Sequence, residues 1–176
     1  MLKNLICPSC HGKVPVFANP VPTADILIHH PDHGIVIITR KNIPLGYALP
    51  GGFVDEGEWL EDAALRETME ETSLTVRLEG ILGVYSRPDR DLRLHTLTTV
   101  FVALAIDPKN LKAADDAQAC AWFEPEAFPS PMCFDHGVML QDYLSYIDGR
   151  RSLGALSTEW LATPQGQANA RLAAQQ

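Results

Sequence analysis

Three carboxylates, Glu67, Glu70 and Glu71, lie inside a stretch that reads as helix from Trp59 to about Ser73. At about 100° of rotation per helical residue they fall within roughly 100° of arc, so all three share one face. Like charges at neighbouring helical positions repel, so something cationic is expected among them. Hard divalent cations such as Mg²⁺ take oxygen ligands, and they bind through one or two carboxylates together with substrate phosphates. Ahead of the helix, Gly51 and Gly52 permit backbone conformations closed to other residues and let the chain approach a ligand closely. Loop and helix together make a cradle suited to metal-bound phosphate. An acidic helix is ordinarily a solvated face; the glycine loop and Arg66 amid the acids weigh against that reading here. Ala64, Leu65, Thr68, Met69 and Thr72 fall on the other side of the wheel and are expected to dock the helix on a sheet.

The segment Gly51 to Leu74 resembles the Nudix box, Gly-x5-Glu-x7-Arg-Glu-U-x-Glu-Glu-x-Gly-U with U aliphatic. Gly52, Glu58, Arg66, Glu67, Glu70, Glu71 and Leu74 are all in register with it. Two positions depart: Thr68 stands where an aliphatic residue is usual, and Ser73 replaces the glycine after the helix, where a left-handed turn costs any other residue more. The resemblance implies that Glu67, Glu70 and Glu71 bind Mg²⁺, with Mn²⁺ as the alternative ion and the Gly51 carbonyl as a further ligand. It implies that Glu58 and Arg66 orient the acids. A carboxylate outside the box often completes such sites, and Asp115 or Asp116, ahead of Trp122, is the counterpart, with Asp116 the catalytic candidate. The chemistry that follows is metal-assisted attack of water on a pyrophosphate, with Glu67 the first choice of base.

Tyr85 to Thr96 is similar to the loop and strand that follow the box in ADP-ribose pyrophosphatase relatives, though without the proline and glycine usual near Leu92 and Leu94. Phe134-Asp135-His136 is similar to a segment near the last helix of that group. Arg87, Arg90 and Arg93 are candidate phosphate contacts, because guanidinium groups present paired donors; the alternative for each is a solvated loop arginine. Tyr47 or Phe53 is the candidate for stacking on a base, or else a core aromatic. Cys7-x-x-Cys10 followed by Asn19-Pro20 resembles the second half of the zinc ribbon of NADH pyrophosphatase relatives. Zn²⁺ usually takes four ligands, and with only His11 nearby the reading favoured is a vestigial knuckle. The expected substrate is a nucleoside diphosphate derivative such as ADP-ribose or NADH. The alternatives are a nucleoside triphosphate pyrophosphatase and a sensor that binds ADP-ribose-like ligands without cutting them.

Positioning such a site needs a scaffold, and 176 residues are enough for one domain with its own core. Hydrophobic residues make up 46 % and charged residues 20 %, a globular balance. A net charge of -8 with no basic run argues against a duplex nucleic acid partner, and no apolar run reaches membrane-spanning length. The start lacks the features of a secretory signal, so a cytoplasmic location is expected, with the four cysteines reduced.

Residues 1–22 read as an N-terminal arm, 23–149 as the hydrolase domain and 150–176 as a tail, helical or mobile. Within the domain a hairpin is expected over 24–29 and 34–40, then a loop to Gly57 with a short strand at 47–49. Strands follow the first helix over 74–85, 96–106 and 120–123. A second helix spans 134–148, its buried stripe formed by Val138, Leu140, Leu144 and Ile147 and its stop by Gly149. Strands before and after a helix predict an α+β fold, an α/β/α sandwich around a mixed sheet. The resemblance also implies a homodimer.

Overall fold

The computed structural model describes residues 2–114 and 117–173; Asp115 and Asp116 lie outside them. Two long strands, β3 (Val21–His30) and β8 (Thr96–Ala105), run parallel at the centre of a seven-stranded sheet. Both faces of this pair are covered, so their sequences are nearly unbroken apolar runs, Ile26-Leu27-Ile28 and Val100 to Ala105. Alternate residues point to opposite sides. Ala24, Ile26, Ile28, Phe101 and Ala103 pack with Ala63 and Ala64 of helix α1 (Leu60–Thr72), while Leu27, Val100 and Val102 pack with Met139, Leu140 and Tyr143 of α2 (His136–Ile147). The result is the expected α/β/α sandwich with a mixed sheet.

The edge strands are antiparallel: β7 (Val76–Tyr85) pairs with β8, and β9 (Ala117–Phe123) pairs with β4 (Gly34–Arg40). The hairpin of β3 and β4 is paired only at its tip, His29 with Ile35 and His30 with Gly34. Below the tip the two strands take different partners. β5 (Tyr47–Ala48) pairs with β4, and β6 (Gly51–Phe53), which replaces part of the expected loop, pairs with β3 so that Asp25 faces Gly51 and Ala24 faces Gly52. The glycine loop is thereby stitched to the central strand, and its corner at Leu49-Pro50 is where the chain crosses from one partner to the other.

Each helix buries part of the stripe expected, Ala64, Thr68 and Thr72 in α1 and Leu140 in α2, together with residues not expected there. In α1 the buried face is Ala63, Ala64, Thr68 and Thr72, small residues that allow close approach, while Met69 is 48 % exposed. In α2 the stripe is His136, Met139, Leu140 and Tyr143, the i, i+3, i+4, i+7 pattern, and Val138 and Ile147 face outward. Polar His136 belongs to the buried side because it accepts from a backbone amide there, and Tyr143 because its ring packs in the core. Ser73 does take the left-handed conformation (φ 58°) and donates its N–H to Met69, ending the helix as glycine would.

At the N-terminus, β1 (Leu2–Ile6) and β2 (Lys13–Phe17) form a separate antiparallel ribbon with Cys7 and Cys10 in its turn. At the other end, α3 (Thr158–Leu161) and α4 (Pro164–Ala173) pack on the domain. Trp160 is fully buried and its indole N–H donates to Asp62 at 2.9 Å. The Asn169 side chain accepts from the Leu78 amide at 2.6 Å and donates to the Leu78 carbonyl at 3.1 Å, satisfying the open edge of β7. Among the described residues no helix is long and apolar enough to cross a membrane.

Candidate active site

A cleft of about 290 Å³ opens where β6, the front of α1 and the 90–96 segment meet. Gly51, Gly52, Phe53, Arg66, Glu67 and Glu71 form one wall; Arg40, Arg90, Asp91, Arg93, Phe134 and His136 form the other, with Asp25 between. Of the residues singled out by sequence, Glu70, Glu58, Tyr47 and Arg87 are not among those lining it.

On the acidic wall Glu67, Glu70 and Glu71 are each held through one oxygen. The Gly51 amide donates to Oε2 of Glu71 at 2.9 Å. Arg66 donates to Oε1 of Glu67 at 2.7 Å and to Oε2 of Glu70 at 3.2 Å from the same Nη1, and it grips Glu58 with Nε and Nη2, both at 2.9 Å. Its Nη2 also reaches the Phe53 carbonyl. Arg66 is thus the cation that the repulsion among the acids called for, and Glu58 fixes it in a two-pronged grip. That grip lowers the Glu58 pKa. Burial acts the other way on the ligand candidates: it raises the Glu67 pKa and pushes that of Glu71 to about 8, against the Gly51 hydrogen bond.

The glycines are required by this packing. Gly51 sits at φ 151°, and a side chain there would strike the Ala24 carbonyl and the Asp25 carboxylate; one at Gly52 would strike the Glu67 carboxylate. The donor set, carboxylate oxygens beside a glycine backbone, suits a hard divalent ion. Buried carboxylates with raised pKa values are the groups such a charge would stabilise. Among the described residues no three His, Cys, Asp or Glu side chains are arranged to hold a metal, with Arg66 engaged between Glu67 and Glu70. Cys7 and Cys10 form no such group either, so Zn²⁺ at that pair, the less favoured reading of the sequence, has no support.

The opposite wall departs most from the sequence reading. Arg90 lines the cleft and is no solvated loop arginine: its side chain is 4 % exposed, ion-paired to Asp135 at 2.8 Å and Asp25 at 3.5 Å, and bonded to Thr96. Arg93 is braced by Asp91 and the Ile43 carbonyl and still lines the cleft, whereas Arg87 pairs with Asp89 on the exposed loop. Arg40 and Asp25, which sequence reasoning passed over, join Arg93, Phe134 and His136 there. Arg40, at the end of β4, is held by the Pro44 carbonyl, and both it and Arg93 lie over the Phe134 ring, at 5.0 and 5.4 Å. Phe134 itself has φ 55°, a conformation uncommon for an aromatic. Asp25 and His136 meet on the floor, Nε2 of the imidazole 3.7 Å from the carboxylate. Burial depresses the His136 pKa.

A mixed α/β/α sandwich that presents a carboxylate helix over a glycine strand in a cleft with a basic far wall is the scaffold of a phosphoanhydride hydrolase. Residues 19–143 match the NUDIX domain family model. The chain belongs to the Nudix hydrolase family, enzymes that act on pyrophosphate bonds. It is 40 % identical over 139 residues to an ADP-ribose pyrophosphatase of Methanocaldococcus jannaschii, an alignment covering 78 % of this chain and 80 % of that one. Among solved structures it is similar to a mutT/nudix family protein from Listeria innocua (34 % identity, TM-score 0.63, 74 % of this chain and 96 % of that chain). It is also similar to a bifunctional NMN adenylyltransferase/ADP ribose pyrophosphatase from Francisella tularensis, complexed with AMP and a manganese ion (27 % identity, TM-score 0.63). There the match covers 74 % of this chain and 42 % of the other.

Proposed function

We propose that this chain hydrolyses the pyrophosphate of a nucleoside diphosphate derivative, ADP-ribose first and NADH-like dinucleotides next, with Mg²⁺ or Mn²⁺ as cofactor. The observation that carries the reading is the pairing of Glu67 and Glu71 with Gly51 and Gly52 on one wall of a cleft whose other wall bears Arg40 and Arg93. One wall suits a cation shared with a diphosphate, and the other suits the remaining negative charge. The similarity to the archaeal ADP-ribose pyrophosphatase supports the choice of first substrate.

In this reading Glu67, Glu70, Glu71 and the Gly51 carbonyl are the metal ligands. An ion held there would supply the charge that neutralises phosphate oxygens and lowers the pKa of water. Glu67, beside Gly52, accepts the proton of the attacking water. Glu58 and Arg66 hold the acids in register. Arg40 and Arg93 bind the phosphate farther from the helix, and Phe53 or Phe134 offers a ring for base or ribose. A homodimer fits the exposed Leu5, Ile6, Val14 and Phe17 of the N-terminal ribbon, and light scattering would test it.

The direct test is a panel of ADP-ribose, NADH, nucleotide sugars and nucleoside triphosphates, with Mg²⁺, scored for released AMP or pyrophosphate. Release of AMP from ADP-ribose or NADH at the highest kcat/KM supports the proposal. A preference for triphosphates, or tight binding of ADP-ribose without turnover, would overturn it.

A further inference from the structure

The corner at Leu49-Pro50 poses a satisfaction problem. Ala48 is the last residue paired to β4 and Gly51 the first paired to β3, so the Leu49 amide falls between two ladders. Leu49 is 1 % exposed, and a buried N–H without an acceptor is strongly disfavoured. Its acceptor is Nδ1 of His136, at 2.9 Å and 87 residues away, at the start of α2. The same segment grips the loop a second time, the Cys133 amide donating to the Tyr47 carbonyl at 2.7 Å. Left-handed Phe134 lies between these two contacts and turns the chain so that residues 133 and 136 both address residues 47–49.

Beyond the corner, Pro50 accepts from the Ile26 amide at 2.8 Å and Gly51 donates to Glu71 at 2.9 Å. His136 therefore pins the corner where neither strand holds the chain, two residues before the Gly51 carbonyl. With Nδ1 accepting, the ring proton is on Nε2, facing Asp25, which Arg90 also approaches at 3.5 Å and which is paired with Gly51 across β3 and β6.

We infer that His136 is a positioning residue for the metal-binding loop: through its Nδ1 bond to the Leu49 amide it sets the direction of the Gly51 carbonyl and so the affinity for the divalent ion. This rests on the reading above that Gly51, Glu67, Glu70 and Glu71 bind that ion. The role is set by where the acceptor stands in the side chain. Asparagine carries an oxygen at the δ position, glutamine carries its own one atom farther out, and leucine carries none.

The test is titration of the nucleotide-free protein with Mn²⁺, free ion followed by electron paramagnetic resonance. The set is the wild type, His136→Leu, His136→Gln, His136→Asn and, as the reference for the site itself, Glu71→Gln. Losing one hydrogen bond of this kind corresponds to about a tenfold change. His136→Leu and His136→Gln are expected to weaken Mn²⁺ about tenfold while His136→Asn stays within about threefold of wild type. Hydrogen exchange at the Leu49 amide should follow the same order. If His136→Leu does not fold, the contrast between Gln and Asn decides. Wild-type affinity in the Leu or Gln variant, or equal loss in Asn and Gln, would overturn the inference. Equal Mn²⁺ binding by wild type and Glu71→Gln would instead overturn the metal site on which it stands.

Discussion

Gly51 and Glu71 are 20 residues apart, yet the glycine amide lies 2.9 Å from a carboxylate oxygen that is otherwise deeply buried. One hydrogen bond does not offset that burial, and the Glu71 pKa rises from 4.5 to about 8. A carboxyl group whose pKa is raised on folding keeps in the native state a proton that the unfolded chain releases. Its stabilising effect is complete below pH 4.5 and is lost as pH climbs to about 8. Glu67 is shifted in the same direction, also by burial. Without divalent ions, the melting temperature is therefore expected to fall between about pH 5 and pH 8. Glu71→Gln should flatten much of this slope, and Mg²⁺ should remove it. Calorimetry across that range, with chelator and with Mg²⁺, checks the sign.

Ser73 ends α1 in the left-handed conformation at φ 58°. That geometry costs a residue with a Cβ roughly 1–2 kcal/mol, partly offset in glycine by greater freedom when unfolded. Ser73→Gly should stabilise the protein by about 0.5–1 kcal/mol, read as a shift in denaturant midpoint at constant slope, with kcat unchanged.

Trp160 joins the C-terminal segment to α1 through full burial and the bond to Asp62. Trp160→Ala should cost roughly 3–5 kcal/mol, the usual range for a buried tryptophan. Chemical denaturation gives the number, and a loss below about 1 kcal/mol would show that this segment does not stabilise the domain.

Arg40 lines the cleft and Arg87 does not. Replacing the former with methionine should raise KM for a diphosphate substrate roughly ten- to a hundredfold, the scale of a charge-assisted hydrogen bond. Arg87→Ala should leave KM within about twofold, since its ion pair with Asp89 is exposed and such pairs contribute little. Steady-state kinetics on both variants separates the two.

These contrasts show which parts of the molecule were legible in the sequence. Arg66, Glu67, Glu70 and Glu71 lie within one helix and Glu58 just ahead of its N-cap, so their mutual geometry follows from local spacing. Arg90 sits in an equally polar stretch, but its partners Asp25 and Asp135 are 65 and 45 residues away, and nothing local distinguishes a buried arginine from a solvated one. His136 was hidden for a similar reason: the bond that occupies it comes from a backbone amide 87 residues away. Strand β6 was missed because Gly51 and Gly52 have low strand propensity, and pairing with β3 overrides it. The C-terminal segment has an Ala/Gln-rich surface and little periodicity, and its attachment depends on single residues, Trp160 and Asn169.

The central claim is that carboxylates of α1, working with a divalent ion, carry the hydrolysis. The most direct test is kcat for ADP-ribose with saturating Mg²⁺ in the wild type and in Glu67→Gln, which keeps the size of the side chain and its capacity to accept from Arg66. The account predicts AMP release that stops with chelator and falls by roughly 10²–10⁴ in the variant, the range for loss of a general base. Turnover that persists in chelator, or that is unchanged in Glu67→Gln, would contradict it.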